Sequence, residues 1–367
     1  MNQTANTIGH VMRTTPTPAR NVEAASVSVV IPCYNYSQYL KQAVESCLSQ
    51  DAVAVDVIIV DDASTDNSLE IARQISQEHS NVSVLSHLSN KGMVETFNDG
   101  AKTAAGEFLV RLDADDLLTP GSLSRAIDVA RAFPSVGLIY GHPIHFFSNQ
   151  LPKPRARVTS WTIWPGTEWL RARCRFPRNV ITSPEVVMRR SVVERVGYQA
   201  PLRHTPDMEL WLRISAFADV AYIHGVDQAW HREHAGSMSA KEVDELVDLR
   251  DRREAYETLF AGPAGTIAEA SQLRDVASAS FLNEALYIAR HELDRGAGCS
   301  ELFRFCIRLA EELGPSSVQR KTLQRLMARA DKTTPLSWAH PTAMGRRAIG
   351  RAKSEMRIAH WHRNGVY

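Results

Sequence analysis

The chain has 367 residues, of which 42 are Lys or Arg, 41 are Asp or Glu and 44% are hydrophobic. This length and composition are sufficient for the core of two ordinary domains, and they exclude disorder throughout the chain. A net charge of +1 excludes the strongly basic balance of a typical nucleic-acid-binding protein, and the five cysteines, which form no C-x-x-C pair, predict neither a disulfide framework nor a zinc ribbon.

Alternating strands and helices are predicted between residues 26 and 140, after a disordered tail at residues 1–25. The predicted strands are 27–31, 55–60, 82–85, 107–112 and 136–140, and the predicted helices are 37–50, 66–79, 93–105 and one that begins with Thr119 and Pro120. Strands that are nearly continuous in Val and Ile require a parallel sheet covered on both faces. We therefore predict a doubly wound α/β fold.

The second half of the sequence is predicted to be irregular at first and helical later. Residues 149–178 are basic and are predicted to form a long surface segment. Short strands are expected at 186–188 and 220–223, and an amphipathic helix at 208–217. A helical extension at 241–330 is followed by a Pro-interrupted basic tail, because residues 331–367 contain seven Lys or Arg and two Asp or Glu. No apolar run approaches the ~20 residues that a membrane-spanning helix needs.

Three tryptophans in the basic segment, Trp161, Trp164 and Trp169, allow two interpretations. Their rings could form a platform for a sugar, since aromatic faces pack against pyranose C–H groups. The commoner arrangement is that tryptophans fill gaps beneath a long loop, and packing is the interpretation we favour.

Polar residues follow the predicted strands at their carboxyl ends, where ligands bind in this type of fold. These residues are Tyr34-Asn35, Asp61-Asp62 and Asp113 to Asp116. In an extended chain Asp113 and Asp115 would face the same way and could bind one hard cation, which would neutralise a diphosphate. Alternatively they form a solvated turn or a helix cap. The G-x-G-x-x-G fingerprint is missing after the first strand, which argues against an NAD enzyme.

Several motifs occur together and in a fixed order. They are Val30-Ile31-Pro32-Cys33-Tyr34-Asn35, Val60 to Ser68 (VDDASTDNS), Asn90-Lys91-Gly92 with Asn98, and Ala105 to Asp116 (AGEFLVRLDADD). This set resembles glycosyltransferase family 2, the inverting enzymes of GT-A fold, closely over residues 26–140. The resemblance continues more loosely through 206–213 and 231–239. It implies a mostly parallel sheet flanked by helices, with a C-terminal helical extension.

The resemblance also implies roles for individual residues. Asp115, Asp113 and His234 would bind a divalent cation, Mn²⁺ or Mg²⁺. The nucleotide sugar would be bound by Pro32, Tyr34, Asn35, Asp62, Asn90, Lys91, Asp113, Ala114, Arg232 and Ser237. Tyr34 would stack on the base and Asp62 would accept from a pyrimidine N–H, which favours a UDP-sugar. The alternatives are that Tyr34 is an ordinary strand-end aromatic, that Asp61 or Asp62 caps the next helix, and that Lys91 is a solvated loop residue.

An inverting displacement needs a base for the acceptor hydroxyl, and the resemblance assigns this role to Asp207. Pro206 stands where the family usually has another acid, which leaves Glu209 as the substitute base. Asp207 could also cap the following helix, and one residue can serve in both ways.

Together these observations predict a metal-dependent, non-processive inverting glycosyltransferase, since the Q-x-x-R-W motif of processive family members is missing. The acceptor would be a glycan, or a lipid-linked or protein-linked precursor. The predicted catalytic domain is 26–240, divided near 140 into nucleotide-sugar-binding and acceptor-binding halves. A cytoplasmic location is expected, and the tail either contacts anionic lipid at the inner face of the membrane or forms a solvated helix. Alternative functions are a non-catalytic sugar-nucleotide or glycan-binding protein and a sugar-nucleotide pyrophosphorylase.

Overall fold

The computed structural model describes residues 8–16, 24–147, 150–234, 244–298, 300–330 and 341–365. The strands are β1 (Met12–Thr14), β2 (Ser26–Cys33), β3 (Ala54–Asp61), β4 (Val82–Ser86), β5 (Phe108–Arg111), β6 (Leu117–Leu118), β7 (Val136–Phe146), β8 (Ala156–Trp164), β9 (Val187–Arg189) and β10 (Asp219–Arg232). The helices are α1 (Ser37–Leu48), α2 (Ser68–Glu78), α3 (Met93–Thr103), α4 (Ser122–Ala132), α5 (Gly166–Arg175), α6 (Arg190–Val196), α7 (Pro206–Ser215), α8 (Glu245–Ala261), α9 (Ala270–Asp294), α10 (Glu301–Glu312), α11 (Ser317–Ala330) and α12 (Pro341–Asn364), with a 3₁₀ turn at Pro263–Thr266. None of these helices is both long enough and apolar enough to cross a bilayer, within the described ranges.

One sheet organises the molecule, with strand order β1-β8-β10-β7-β9-β5-β2-β3-β4 and β6 paired to β10. Strands β5, β2, β3 and β4 are parallel, as the sequence predicts for the nucleotide-sugar-binding half. The short strand β9 is antiparallel to both β5 and β7 and joins this half to the second half. The carboxyl ends of β2, β3 and β5 therefore lie side by side at one edge of the sheet.

The core occupies both faces of the sheet, because strand residues alternate between the two sides. On β2, Val27, Val29 and Ile31 pack into one hydrophobic cluster, whereas Val30 packs into the other. The second cluster continues into helix α8, which packs against α7, into α9, which packs against α5, and into α10 and α11, which pack against α9. The predicted helical extension is thus part of the same continuous core.

Two predicted irregular segments are wrong. Met12–Thr14, in the supposed disordered tail, pairs with β8, and the backbone N–H of Ile8 donates to Asp219 Oδ2 at 2.9 Å. Residues 149–178 contain β8 and α5 instead of a surface segment, and Trp161, Trp164 and Trp169 are buried packing residues. Basic residues misled the prediction because they too can be buried; Arg173 lies over the Trp169 ring, 5.6 Å from its centroid.

Three element boundaries also differ from the prediction. Thr119 does not cap a helix, because α4 begins at Ser122 after Gly121, whose φ is +72°. The short strand predicted at 220–223 extends to Arg232, with a bulge near Gly225, where φ is +85°. The basic tail contains α12, and Pro341 is the first residue of that helix.

Candidate active site

Asp113 to Asp116 form a turn at the carboxyl end of β5, in which the N–H of Asp116 donates to the carbonyl of Asp113 at 3.0 Å. We call these four residues the acidic turn. The turn means that Asp113 and Asp115 do not project from an extended chain, so the alternation argument made from the sequence fails here. Instead each carboxylate has its own partner.

The buried carboxylate of Asp116 fixes the acidic turn to the end of β10. Its Oδ2 lies 3.0 Å from His231 Nδ1, and its Oδ1 accepts from the backbone N–H of Arg232 at 2.8 Å. Burial alone would lower the pKa of His231, but the bond to Asp116 outweighs it and raises that pKa to about 9. His231 and Asp116 therefore form a buried ion pair next to the predicted metal ligands. Sequence analysis missed this pair, because no spacing in the sequence shows that β10 ends beside β5.

Asp115 lies beside His234, as predicted, with Oδ2 2.9 Å from His234 Nε2. Burial, followed by the charges of Asp116 and Asp113, raises the pKa of Asp115 to about 6. The described residues contain no group of three or more His, Cys, Asp or Glu arranged to ligate a metal. The acidic turn nevertheless has several closely spaced carboxylates, whose mutual repulsion a divalent cation would reduce. The residues present therefore fit a divalent cation.

Arg111, the last residue of β5, was also missed by sequence analysis. Its Nε and Nη2 donate to Asp113 Oδ1 at 3.0 and 2.8 Å, and its charge also acts on Asp207. The side chain is only 6% exposed, and Nη1 is buried without a hydrogen-bond partner among the described residues. A buried guanidinium N–H without a partner is costly, and a ligand oxygen would satisfy it.

Asp207 is the second residue of α7 rather than its N-cap, which is Thr205. Its Oδ2 accepts from Ser183 Oγ at 2.8 Å and its Oδ1 from the backbone N–H of Met208 at 2.6 Å. Burial raises the pKa of Asp207 and outweighs the charge of Arg111, which lowers it. Glu209, the substitute base, is buried and forms a bidentate ion pair with Arg213 at 2.9 and 2.6 Å. Asp207 is thus the better candidate for a base.

In the parallel half of the sheet, Asp62 orders the loop before α3. Its Oδ1 accepts from the backbone N–H of Lys91 at 2.8 Å and lies 2.7 Å from His87 Nδ1, while its Oδ2 accepts from the N–H of Gly92 at 2.9 Å. Burial would raise the pKa of Asp62, but these bonds hold it below its usual range. Asn90 Nδ2 donates to the Asp62 carbonyl at 3.3 Å. A contact between Asp62 and the nucleotide's pyrimidine ring would be an additional hydrogen bond to a carboxylate that already binds the loop before α3.

The other residues predicted to bind the nucleotide sugar also lie at the carboxyl edge of the sheet, in different surroundings. Tyr34 is exposed and follows Pro32 in the chain, whereas the Asn35 side chain accepts from the backbone N–H of Thr65 at 2.8 Å. Asn35 has a φ of +60°, which turns the chain sharply between β2 and α1. The ammonium group of Lys91 pairs with Asp99 at 2.9 Å. Ala114 is buried within the acidic turn.

Arg232 lies behind the acidic turn. Its guanidinium stacks between Tyr39 and Phe146, 4.5 Å from each ring centroid, and its Nε donates to the Asp115 carbonyl at 2.9 Å. Because the Arg232 side chain is buried in this way, we favour a role in positioning Asp115. This role replaces the predicted contact of Arg232 with phosphate. Ser237 belongs to residues 235–243, outside the described residues.

Residues 28–197 match the family model described as Glycosyl transferase family 2. An uncharacterized glycosyltransferase from a Nostoc species is 32% identical over 178 residues, which cover 46% of this chain and 52% of that protein. Chondroitin synthase from Escherichia coli is 35% identical over 114 residues, covering 31% of this chain and 16% of that protein. The chain thus spans about half or less of the length of these relatives.

Among solved structures, Staphylococcus aureus TarS 1–349 in complex with UDP-GlcNAc is similar, with a TM-score of 0.58 and 15% identity. The match covers 83% of this chain and 88% of that one. Another structure of Staphylococcus aureus TarS gives a TM-score of 0.55 at 17% identity, covering 83% of this chain and 53% of that one. These likenesses confirm the predicted GT-A fold.

Proposed function

We propose that the protein transfers a sugar from a nucleotide diphosphate sugar to a hydroxyl group of a glycan, lipid-linked or protein-linked acceptor, because residues 28–197 match the model of glycosyl transferase family 2. The observation that carries this proposal is the meeting of the acidic turn with Arg111 and Asp207 at the carboxyl edge of the sheet. The catalytic domain would comprise residues 26–240, and one sugar would be added per encounter.

The donor would be a UDP-sugar lying across the carboxyl ends of β2 and β3. Exposed Tyr34 is available to stack on the uracil ring, with Pro32 and Asn35 beside it and Asp62 and the Asn90-Lys91 loop opposite. The unpartnered Nη1 of Arg111 would donate to an oxygen of the diphosphate or the sugar.

A divalent cation, Mn²⁺ or Mg²⁺, would be held by Asp115 with Asp113 and His234. Such a cation supplies positive charge that stabilises a departing diphosphate. The raised pKa of Asp115, at about 6, supports this assignment because burial and, after it, the charges of Asp116 and Asp113 disfavour its charged form, which a cation would stabilise. Arg232 and the His231–Asp116 pair would hold these ligands in place from behind.

Asp207 would act as the general base. The acceptor hydroxyl oxygen forms a bond to the anomeric carbon as the bond from that carbon to the diphosphate breaks, and the hydroxyl proton passes to the Asp207 carboxylate. Attack from the face opposite the leaving group inverts the anomeric configuration. The hydrogen bond from Ser183 supports this role, because it fixes the carboxylate while burial keeps its basicity above that of a solvated aspartate.

The test is nucleotide release by the full chain. UDP-glucose, UDP-GlcNAc, UDP-galactose and GDP-mannose are each incubated with the protein and Mn²⁺, with and without candidate acceptors. We expect UDP release, and we expect Asp115→Ala to abolish both turnover and Mn²⁺-dependent UDP binding, whereas Asp51→Ala, at an exposed aspartate, changes neither. Full activity of Asp115→Ala would contradict the metal role. Nucleotide-sugar binding without release would identify a binding protein instead.

The C-terminal helix supports a second, separable part of the proposal, which is contact with anionic lipid at the inner face of the membrane. Arg351, Lys353 and Arg357 lie on α12 together with exposed Ile349 and Met356. Co-sedimentation with vesicles containing about 30% anionic lipid, compared with neutral vesicles, tests this contact. Equal sedimentation with both would leave α12 as a solvated helix.

A further inference from the structure

An open groove of about 500 Å³ lies beside β7 and the segment that leads to β8. Its walls include His142, His145, Pro152, Lys153, Arg155 and Asp227. This volume is within the range of sites for small ligands, about 300–1,000 Å³. Nothing in the predicted donor site uses these residues.

The polar atoms that this groove presents to a ligand are donors. Asp227 is buried and its carboxylate is already used: Oδ1 lies 3.0 Å from His142 Nδ1 and accepts from Arg155 Nε at 2.9 Å, and Oδ2 accepts from the Arg155 backbone N–H at 2.7 Å. Burial would raise the pKa of Asp227, but these bonds hold it far below its usual range. Asp227 is therefore a structural anion that fixes Arg155, not an acceptor for a ligand.

Two cations remain accessible. The Arg155 side chain is 53% exposed although it is anchored to Asp227, so it reaches the groove in a fixed orientation. Lys153 is exposed and has no ion-pair partner in the described part of the chain. The His145 ring is also part of the groove; its Nδ1 lies 2.7 Å from Glu233 Oε1, and its Nε2 has no hydrogen-bond partner among the described residues. These groups suit the oxygens of hydroxyl groups and of anions.

The groove is connected to the acidic turn and to the C-terminal helix. At one end the His145 ring lies 5.2 Å from the ring of His231, which is bonded to Asp116. At the other end the Trp361 ring of α12 lies 5.9 Å from that of His142. His142 and His145 are three residues apart on β7, so the groove extends about 10 Å along this strand away from His231.

We propose that this groove binds an anionic portion of the acceptor glycan, with Lys153 and Arg155 contacting its carboxylate or phosphate groups. This inference rests on the proposed function, because it assigns the substrate that the same active site would receive. It narrows the acceptor to a negatively charged glycan, whose reacting hydroxyl would lie beyond His145, toward the acidic turn.

The experiment measures binding of defined probes to the full chain by calorimetry, with UDP and Mn²⁺ present. The probes are a hexuronate tetrasaccharide, a glycerol phosphate tetramer and neutral maltotetraose. We expect one of the two anionic probes to bind about tenfold or more tightly than maltotetraose, and to weaken as salt rises. The two anionic arms distinguish a carboxylate from a phosphate polymer.

Lys153→Glu should reduce binding of the preferred anionic probe about tenfold without changing UDP binding or UDP release from donor alone. Lys321→Glu, an equal change of charge at an exposed residue of α11, should leave probe binding unchanged. Arg155→Lys keeps the charge beside Asp227 and should cause a smaller loss.

Equal affinity for anionic and neutral probes, or an unaffected Lys153→Glu variant, would overturn the proposal for the groove while donor turnover stays intact. Competition between UDP and the anionic probe would also overturn it, since the groove would then belong to the donor site. If the proposed function itself is wrong, the result is different, because the wild-type protein then releases no UDP.

Discussion

The guanidinium of Arg111 lies between two carboxylates with different proposed roles, Asp113 in the donor site and Asp207 as the base. Arg111 is the last residue of β5 and lies two residues before the acidic turn, so its buried side chain must point into the site or into the core. A role for this arginine could not be predicted from the sequence, because no spacing to other residues distinguishes a single arginine within a motif. Its missing hydrogen-bond partner is visible only in three dimensions.

Replacing Arg111 by methionine should weaken UDP-sugar binding about tenfold, because a buried charged donor is lost. The same change removes a charge that lowers the pKa of Asp207, so the acidic limb of the rate profile should move to higher pH. The measurements are the Kd of UDP with Mn²⁺ and the pH dependence of kcat. Arg111→Lys keeps the positive charge, and its acidic limb should stay close to that of the wild type. An unshifted limb in Arg111→Met would show that Arg111 does not act on Asp207.

The pH dependence of the wild-type enzyme follows from Asp207. Burial raises its pKa, and a general base works only when deprotonated, so kcat should fall as the pH drops through this raised value. The fall should begin at a higher pH than for a solvated aspartate. Asp207→Asn should lose about 10²–10⁴-fold in kcat with unchanged UDP affinity, and the residual activity should lack this limb. Persistence of the limb in Asp207→Asn would assign it to another group.

At the scale of elements, the parallel half was predicted well and the second half poorly. Strands β2, β3 and β5 are largely buried on both faces, and a nearly continuous run of apolar residues is then sufficient to identify a strand. Strand β10 is different, because Asp227, Gln228 and His231 are polar residues that tertiary partners satisfy. A sequence does not show which partners will be present, so such a strand resembles a loop.

Helix α5 depends on a close approach that only glycine permits. A Cβ on Gly166 would lie 2.0 Å from the carbonyl oxygen of Ala218 and 2.1 Å from that of Ser215. Gly166→Ala should therefore lower the free energy of unfolding by about 3 kcal/mol, at the upper end of the cost of overpacking. Thermal or urea denaturation measures the change. Gly345→Ala, in α12 with nothing within 4 Å of the added Cβ, should be neutral or slightly stabilising. Equal effects at the two positions would contradict the packing argument.

At the scale of the whole molecule, the family match and the proposed active site do not coincide. The match ends at residue 197, before Asp207 and before the end of β10, which supplies His231, Arg232 and the neighbouring His234. The motifs that resemble the family lie in the parallel half, and the residues that would complete the proposed site come from later in the chain. The second half of the sheet was therefore the less predictable part, since its residues are brought together by long-range pairing.

Both described ends of the chain pack against this second half of the sheet. Strand β1 adds to β8, and the Tyr140 hydroxyl donates to the Gly365 carbonyl at 2.5 Å while it accepts from Trp169 Nε1 at 3.2 Å. Tyr140→Phe should lower the free energy of unfolding by about 1–3 kcal/mol, because the indole N–H loses a buried partner. It should also make α12 more susceptible to limited proteolysis. Tyr222→Phe, at a neighbouring ring whose hydroxyl makes no such bond to Gly365, is the comparison, and equal proteolysis of the two variants would contradict this role for Tyr140.

The bond between Tyr140 and Gly365 joins residues 225 positions apart, whereas β2, β3, β4 and β5 pair within the first 111 residues. A ribosome that synthesises this chain releases the whole parallel half long before α12 emerges. The parallel half can therefore close early on local pairings, whereas Tyr140, Trp169 and Tyr222 in the second half stay incompletely covered until α12 has been synthesised. The interval between these two events is when the chain is most exposed to aggregation, and its length is set by where Gly365 lies in the sequence.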